Sequence, residues 1–203
     1  MLLNGNHFPA LFRSVRDVRE TLDAYCLAPG KIPVAKDDLK FAVEQVYGVQ
    51  ISVFLVPLRS KLLRGKIDIF DGRSNVYLDA ELNSQWTRYA HAKELCHHLV
   101  CDQEYRTKDP TAIIEFIVQD GVNSHREDAP PDVATEDLTK IAALELLFPR
   151  DLRTAAKARI ASGHDSVFNL SEWLDIPEHM VELALSDWYM EFTEGVWDGI
   201  ANG

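Results

Sequence analysis

The spacing of apolar residues changes twice along this chain, and this change restricts the fold more than any other feature. Between residues 49 and 79, apolar residues alternate with polar ones in three short runs, 49–57, 66–70 and 75–79. Alternation of this kind is typical of half-buried strands. On either side the apolar spacing is three to four, which is typical of amphipathic helices. The sequence therefore predicts an α+β fold with a small sheet between helical parts.

Two helices are expected before the strands, over residues 12–25 and 34–47. The Asp71-Gly72 pair predicts a hairpin between the second and third strands, so we expect a largely antiparallel sheet. The helical spacing then returns, and about six to eight helices are expected in all. The later predicted segments are helices over 84–100, 110–118 and 136–148, an exposed loop over 121–135, and three short helices over 152–160, 170–174 and 180–188. The apolar tail over 189–197 would pack on the core or on a partner, and the core is the simpler interpretation.

The charge balance and the lack of targeting signals exclude several classes of protein. The chain has 203 residues and a formal net charge of -11, which would repel a nucleic-acid backbone at long range. It has no apolar run long enough to span a membrane and no signal peptide, so we expect a cytoplasmic protein that does not interact with membranes. Its three cysteines, an odd number, indicate buried thiols rather than a disulfide framework.

Most of the residues that could carry chemistry lie between residues 86 and 101. A catalytic zinc helix has the pattern H-E-x-x-H, in which two histidines bind the metal and the glutamate acts as general base. Residues 93–97 of this chain are K-E-L-C-H. The glutamate and the second histidine are present, but Lys93 replaces the first histidine. An ammonium is protonated at neutral pH and has no lone pair to offer a metal.

Two segments carry a resemblance to a known family. Residues 88–99, R-Y-A-H-A-K-E-L-C-H-H-L, resemble the R-F-T-x-A-H-E-L-G-H-x-L signature of the ImmA/IrrE-type metallopeptidase-like proteins. Residues 136–149, E-D-L-T-K-I-A-A-L-E-L-L-F-P, resemble the family's E-x-x-A-N-x-F-A-x-x-L-L-M-P block. The resemblance implies a zincin-like domain over residues 1–150 that includes the N-terminal helices. We expect residues 151–203 to form a helical extension packed on it.

The resemblance also implies roles for individual residues. Glu94 would be the general base, and His97 and Glu136 would be metal ligands, with Lys93 in place of the missing ligand. A catalytic zinc normally has three protein ligands and one water, so two ligands alone would bind it weakly. The chain also departs from the family pattern at Cys96, Thr139 and Lys140. We expect Lys93 to pair with Glu136 or Glu94 and to neutralise these carboxylates without metal.

Three other arrangements that would keep a metal site stay open at this point. His91, Glu94 and His98 lie on one helical face and would form a displaced site. His97 and Cys101 are one helical turn apart and could act as an imidazole–thiolate pair. His125 precedes Glu136 in the predicted loop and would face the pocket. In each case the simpler interpretation is a packed or solvated side chain.

Two functions follow from these residues and from the resemblance. The first is a catalytically degenerate metallopeptidase-like protein without a cofactor, which acts by binding a protein. The resemblance implies a mobile element, such as a prophage, as the source, and a transcriptional regulator, for example a helix-turn-helix protein, or a toxin-type protein as the partner. The alternative is an active zinc metallopeptidase with an altered ligand set, in which Glu94 activates water and the enzyme cleaves a regulatory protein.

Overall fold

The computed structural model describes residues 7–25, 33–58, 63–100 and 131–202. The helix expected over 110–118, together with Cys26, Cys101 and His125, lies outside the described residues. The described part has an α+β fold with eight α-helices and one three-stranded sheet, which confirms the predicted class. In chain order the elements are α1 (His7–Tyr25), α2 (Lys36–Tyr47), β1 (Gln50–Val56), β2 (Gly65–Phe70), β3 (Arg73–Asp79), α3 (Ser84–Leu95), α4 (Pro131–Leu147), α5 (Arg150–Ala161), α6 (Val167–Leu174), α7 (Glu178–Leu185) and α8 (Asp187–Ala201).

The sheet is mixed rather than largely antiparallel, with the strand order β1-β3-β2. The predicted hairpin forms, and β2 runs antiparallel to β3 around a turn in which Gly72 has a φ of 67°. However, β3 lies between the other two strands and pairs with β1 in parallel. Alternation of apolar residues identifies a strand but not its neighbour, which is why the sequence predicted the hairpin and not the parallel pair.

One face of the sheet packs against the helices. Ser74, Val76 and Leu78 of β3 are buried on this face, and Ile51 of β1 lies beside Ser74. Helix α3 crosses this face and contacts β2 and β3. The opposite face is more polar, with an ion pair between Lys66 and Asp68. This packing places one side of α3 next to the start of β2.

Helices α1, α2 and α4 supply most of the remaining core. Helix α2 ends at Tyr47, and the next residue, Gly48, has a φ of 62° and forms a left-handed cap. Helix α4 begins at Pro131, five residues before the predicted start at Glu136, so the expected loop over 121–135 is wrong for its last residues. Proline is favoured in the first turn of a helix because it has no N–H to leave unpaired there. The buried apolar residues of these helices are Leu11, Phe12, Val15, Val18, Leu22, Leu39, Ala42, Val43, Leu138, Ala142, Ala143, Leu144, Leu146 and Leu147.

The C-terminal part contains four helices instead of the predicted three short helices and a tail. The segment expected over 180–188 is interrupted at Ser186, which is extended and accepts a hydrogen bond from the N–H of Tyr189. Ser186 thus acts as an N-cap that starts α8. The tail is helical and packs on the core, as expected, with the Trp197 ring 4.9 Å from that of Phe12. The proposed boundary between residues 150 and 151 stays a prediction.

A buried ion pair joins the C-terminal helices to α4. Arg153 of α5 lies 2.7 Å from Oε1 of Glu145, and both side chains are almost fully buried. The Tyr189 hydroxyl donates to Oε1 of Glu145 and Trp197 Nε1 donates to Oε2, at 3.1 and 2.9 Å. Arg153 also donates to the carbonyl of Phe148. Burying an ion pair is costly, but these hydrogen bonds offset part of the cost of removing the two charges from water.

No helix in the described ranges combines the length and the apolar character that a membrane span requires.

Candidate functional site

Helix α3 and the turn after it carry most of the predicted site. The Asn83 side chain accepts a hydrogen bond from the Trp86 N–H at 2.9 Å and caps the helix at its N-terminus. The α-helix ends at Leu95, and residues 96–98 continue as a single turn of 3-10 helix. This is earlier than the predicted end at residue 100, because 3-10 turns commonly tighten the ends of α-helices. Lys93 and Glu94 thus lie in the last α-helical turn, and His97 lies in the 3-10 turn.

Lys93 forms a bridge between two carboxylates. Its Nζ atom lies 2.9 Å from Oε1 of Glu94 and 2.7 Å from Oε2 of Glu136. Glu136 is on α4, so the contact joins the two segments that carry the family resemblance. Both distances are in the range of charge-assisted hydrogen bonds. The expected pairing of Lys93 with Glu136 or Glu94 is therefore observed with both partners at once.

His97 lies on the other side of the same two carboxylates. Its Nε2 atom is 3.6 Å from Oε2 of Glu94 and 3.6 Å from Oε1 of Glu136. Each carboxylate thus has one oxygen facing Lys93 and the other facing His97. The structure brings together Glu94, His97 and Glu136, the three residues that the resemblance implied, with the Lys93 ammonium among them.

The electrostatics of the cluster keep Lys93 charged. Burial acts to lower its pKa, but attraction by Glu94 and Glu136 and the hydrogen bonds to them outweigh burial, so the pKa of Lys93 is raised above its ordinary value. For Glu136, burial acts to raise the pKa, but Lys93 and His97 outweigh it, and the pKa is lowered. The ammonium and this carboxylate are both ionised at neutral pH.

Gly65 allows the Glu94 side chain to lie against the sheet. A Cβ atom at Gly65, the first residue of β2, would lie 2.9 Å from Cγ and 3.0 Å from Oε1 of Glu94. A real Cβ does not approach other atoms so closely, so a larger residue would force Glu94 away from Lys93. Gly65 is not among the site residues predicted from the sequence. An isolated glycine in a strand is a recognised sign of close approach by another group, and this signal could have identified it.

Tyr89 is a second residue near the site that was not predicted from the sequence. Its hydroxyl is buried, and among the described residues it has no hydrogen-bond partner. Burial raises the pKa of this hydroxyl, with further effects from Lys93, Cys96 and Glu136. Tyr89 lies one helical turn before Lys93 on α3. The pattern around Tyr89 gave no sign of a place in the site, because a buried tyrosine one turn before Lys93 has the spacing of an ordinary core residue.

The two histidines considered as replacement ligands lie elsewhere. His98 Nε2 is 3.0 Å from the Ser74 hydroxyl, and the His98 ring is 5.9 Å from that of Tyr47. His91 is buried, and both of its ring nitrogens lack a hydrogen-bond partner within the described ranges. Burial, followed by the nearby charge of Lys36 on α2, lowers the pKa of His91 to about 4. The ion pairs described for Glu94 and Glu136 are made with Lys93 and His97.

Three departures from the family pattern also have defined positions. Cys96 is buried, and burial raises the pKa of its thiol, which makes it unreactive. Thr139 is buried and donates to the carbonyl of Glu136 at 3.0 Å. Lys140 Nζ lies 3.1 Å from Oδ1 of Asp137, and its effect on Glu136 is smaller than that of Lys93. Lys93 is thus the main cation of the cluster.

The donor set does not fit a catalytic zinc. Such a zinc binds a carboxylate oxygen at roughly 2.0–2.2 Å and needs three ligands with free lone pairs. Here the Glu136 oxygen is bound by the Lys93 ammonium, which is a hydrogen-bond donor and has no lone pair. Across the described ranges, no group of three or more His, Cys, Asp or Glu side chains is arranged to hold a metal ion. Glu94, His97 and Glu136 approach one another, but they do so around an ammonium.

Comparison with protein-family models finds no match to this chain, and comparison with curated proteins finds none either.

Proposed function

We propose that this chain is a catalytically degenerate metallopeptidase-like protein of the ImmA/IrrE type, with a zincin-like fold, that acts in the cytoplasm by binding another protein. The observation that carries the proposal is the bridge from Lys93 to Glu94 and Glu136. A protonated lysine occupies the place of a metal ligand and uses the residues that would serve as general base and third ligand. Neither carboxylate is then free to activate water or to bind a metal.

The cluster has the properties of a structural replacement for a metal ion. Lys93 joins α3 to α4, which are the two helices that a metal would hold together in the active relatives that the resemblance implies. Losing the metal without replacing it would leave two buried carboxylates facing each other, and that would be costly. The lysine supplies a positive charge at the same place, so the fold is kept while the chemistry is lost.

The resemblance points to a regulatory protein of a mobile element as the partner, in particular a helix-turn-helix regulator or a toxin-type protein. The net charge of -11 supports a protein partner over direct binding to nucleic acid, because the overall charge repels phosphates. The competing function, an active zinc metallopeptidase, needs a histidine to replace Lys93. His98 contacts the Ser74 hydroxyl and His91 is buried with a lowered pKa, so neither favours that alternative.

The metal content of the purified protein tests the degenerate site. The natural chain and a Lys93→His variant are refolded with excess zinc and dialysed, and bound metal is measured by mass spectrometry. We expect no tightly bound zinc in the natural chain and about one zinc per chain in the variant, because the introduced imidazole would complete a three-ligand set with His97 and Glu136. A Lys93→Met variant is the control, since it removes the ammonium without supplying a ligand.

One tightly bound zinc in the natural chain, or chelator-sensitive cleavage of a partner by it, contradicts the proposal. The partner is tested with purified helix-turn-helix regulators from the same genome, mixed with the full chain and measured by calorimetry. We expect one regulator to bind and to remain uncleaved. Binding followed by cleavage supports the active enzyme instead, and failure of every regulator to bind contradicts this choice of partner.

A further inference from the structure

The outer edge of β1 has backbone groups that face away from the sheet. In the parallel pair with β3, the N–H of Gln50 donates to the carbonyl of Gly72, and the carbonyl of Val56 accepts from Ala80. Along a strand, the N–H and carbonyl groups of successive residues point to opposite edges. The even-numbered residues of β1 therefore direct these groups toward β3. The odd-numbered residues Ile51, Val53 and Leu55 therefore direct their N–H and carbonyl groups outward.

At both ends of β1, the outward-pointing backbone N–H groups cannot pair with another strand. The N–H of Ile51 donates to Oε1 of Glu44 at 2.7 Å, so α2 covers the start of the edge. The next outward residue after Leu55 is Pro57, which has no N–H to offer. Val53 and Leu55 remain between these ends, and their N–H and carbonyl groups have no partner among the residues that the structure describes. The free edge is thus a short window centred on Phe54.

The window is apolar and uncharged. The exposed fractions of Val53, Phe54 and Leu55 are 38%, 44% and 64%, and none of the seven residues of β1 is charged. Proteins usually protect an open sheet edge with lysine, proline or a bulge, because free backbone groups attract another strand. Among the described residues, that protection is limited to Glu44 and Pro57 and leaves the window open. A chain with a net charge of -11 can approach a second copy here without placing carboxylates of the two strands opposite each other.

We propose that a second copy of this chain pairs with the window, so that two β1 strands run antiparallel about a twofold axis at Phe54. In this register Val53 of each copy lies opposite Leu55 of the other, and each such pair exchanges two backbone hydrogen bonds. All the free groups of the window are then satisfied. The next pair along would be Ile51 with Pro57, the two residues whose N–H groups are bound or absent. The window is therefore self-complementary.

The same register also covers the exposed side chains. Val53 and Leu55 lie on the helix-packed face of the sheet, beside Val76 and Leu78, so each Leu55 would cover the other copy's Val53. The two Phe54 rings would meet on the opposite face. The two sheets would join into one of six strands, with β2 at both outer ends. Since β2 is the strand beside Glu94, the cluster around Lys93 stays outside this interface and the inference does not depend on the proposed function.

The solution mass of the full chain tests the proposal. We expect sedimentation to give twice the chain mass of 23.0 kDa at high concentration. A Leu55→Lys variant puts an ammonium opposite the apolar Val53 of the other copy, and we expect its dissociation constant for the dimer to rise by about tenfold or more. Phe70→Lys is the matched control, because Phe70 is similarly exposed but lies on β2 at the opposite edge. This control should dimerise like the natural chain.

Cross-linking tests the register independently of affinity. Residues directly opposite in a non-hydrogen-bonded antiparallel pair have Cα atoms about 4.5 Å apart, which is within the range for a disulfide. Under mild oxidation, a Phe54→Cys variant should give a covalent dimer much faster than the natural chain. Ser52→Cys is the control, because in this register its counterpart is residue 56 of the other copy.

Three results would overturn the proposal: a monomer at every concentration, a dimer equally weakened by Leu55→Lys and Phe70→Lys, or faster cross-linking through residue 52 than through residue 54. If Leu55→Lys fails to fold, a Val53→Pro variant replaces it. That change removes one outward N–H and leaves the pairing with β3 intact, as proline does on edge strands. It should give a monomer with an unchanged circular dichroism spectrum, and a dimer of undiminished affinity would refute the pairing.

Discussion

The Nζ atom of Lys93 lies 2.7 Å from Oε2 of Glu136, so an ammonium on α3 is bound by a carboxylate on α4. The same ammonium is 2.9 Å from Glu94. All three side chains are mostly buried, which makes the pair more sensitive to the loss of one partner than a surface ion pair is. The ion pairs of Lys93 thus connect α3 to α4, and the contribution of these ion pairs to the stability of the fold can be measured.

A Lys93→Met variant should lower the free energy of unfolding by about 3–5 kcal/mol at neutral pH, because it leaves two buried carboxylates without their ammonium partner. The pKa of Glu136 is lower in the folded protein than in the unfolded chain, where it is about 4.3. Ionised Glu136 therefore stabilises the fold at pH values above about 4.3, and this stabilisation is lost as the pH falls through the folded pKa. The pKa of Lys93 is higher in the folded protein than in the unfolded chain, where it is about 10.4. Protonated Lys93 therefore stabilises the fold at pH values below about 10.4, and this stabilisation is lost as the pH rises through the folded pKa. The difference in the free energy of unfolding between the natural chain and the Lys93→Met variant should therefore be largest between pH values of about 4.3 and 10.4.

Urea unfolding of both proteins across this pH range measures the difference. Lys140→Met is the control, since Lys140 pairs with Asp137 at a more exposed position than Lys93 and should change stability by less than about 1 kcal/mol. Equal effects of the two substitutions would contradict a special role for Lys93.

A Gly65→Ala variant should be destabilised by about 1–3 kcal/mol, because its Cβ would meet Glu94 at 2.9 Å and force the carboxylate to move. Thermal or urea unfolding measures this loss. Gly199→Ala in α8 is the matched control, since nothing lies within 4 Å of its added Cβ and alanine favours the helix by about 0.5–1 kcal/mol. The two substitutions should change stability in opposite directions, and a stabilised Gly65→Ala variant would count against the packing described for Glu94.

An Arg153→Met variant should lose about 3–5 kcal/mol of stability, because Glu145 would remain as a buried carboxylate without its counter-ion. A double variant that also carries Glu145→Leu should recover part of this loss, since no buried charge remains. Arg150→Met is the control, because Arg150 pairs with Glu194 and Asp198 at a more exposed site and should cost about 1 kcal/mol or less. Denaturant unfolding gives all of these values, and a double variant no more stable than the single one would refute the account.

Acid should destabilise the protein through His91, whose folded pKa of about 4 is below its unfolded value of about 6.5. Between these two pH values the unfolded chain binds a proton that the folded protein does not bind. The free energy of unfolding therefore decreases as the pH is lowered, by about 3 kcal/mol over the whole interval. A His91→Leu variant should lack this part of the pH dependence, because both ring nitrogens have no partner to lose among the described residues. Unfolding measured at several pH values tests this, and the same pH dependence in the natural chain and the His91→Leu variant would contradict it.

The sequence by itself determined the types of the main elements. Apolar spacing predicted α1, α2, the three strands and α3, because burial of one side of an element imposes a period that survives in the sequence. The family resemblance identified Lys93, Glu94, His97 and Glu136, and the tertiary structure brings these four together. The charge of Lys93 was sufficient to predict its pairing with a carboxylate, because a buried carboxylate needs a counter-ion.

The tertiary structure decided the features that depend on contacts between distant residues. The parallel pairing of β1 with β3, the bridge from Lys93 to both carboxylates, and the contact of His98 with Ser74 join residues that no local pattern relates. The buried pair of Glu145 and Arg153 was missed for the same reason, since each residue alone resembles a solvated charge on a helix. Period and composition record which side of an element is buried, but only packing decides which partner buries it.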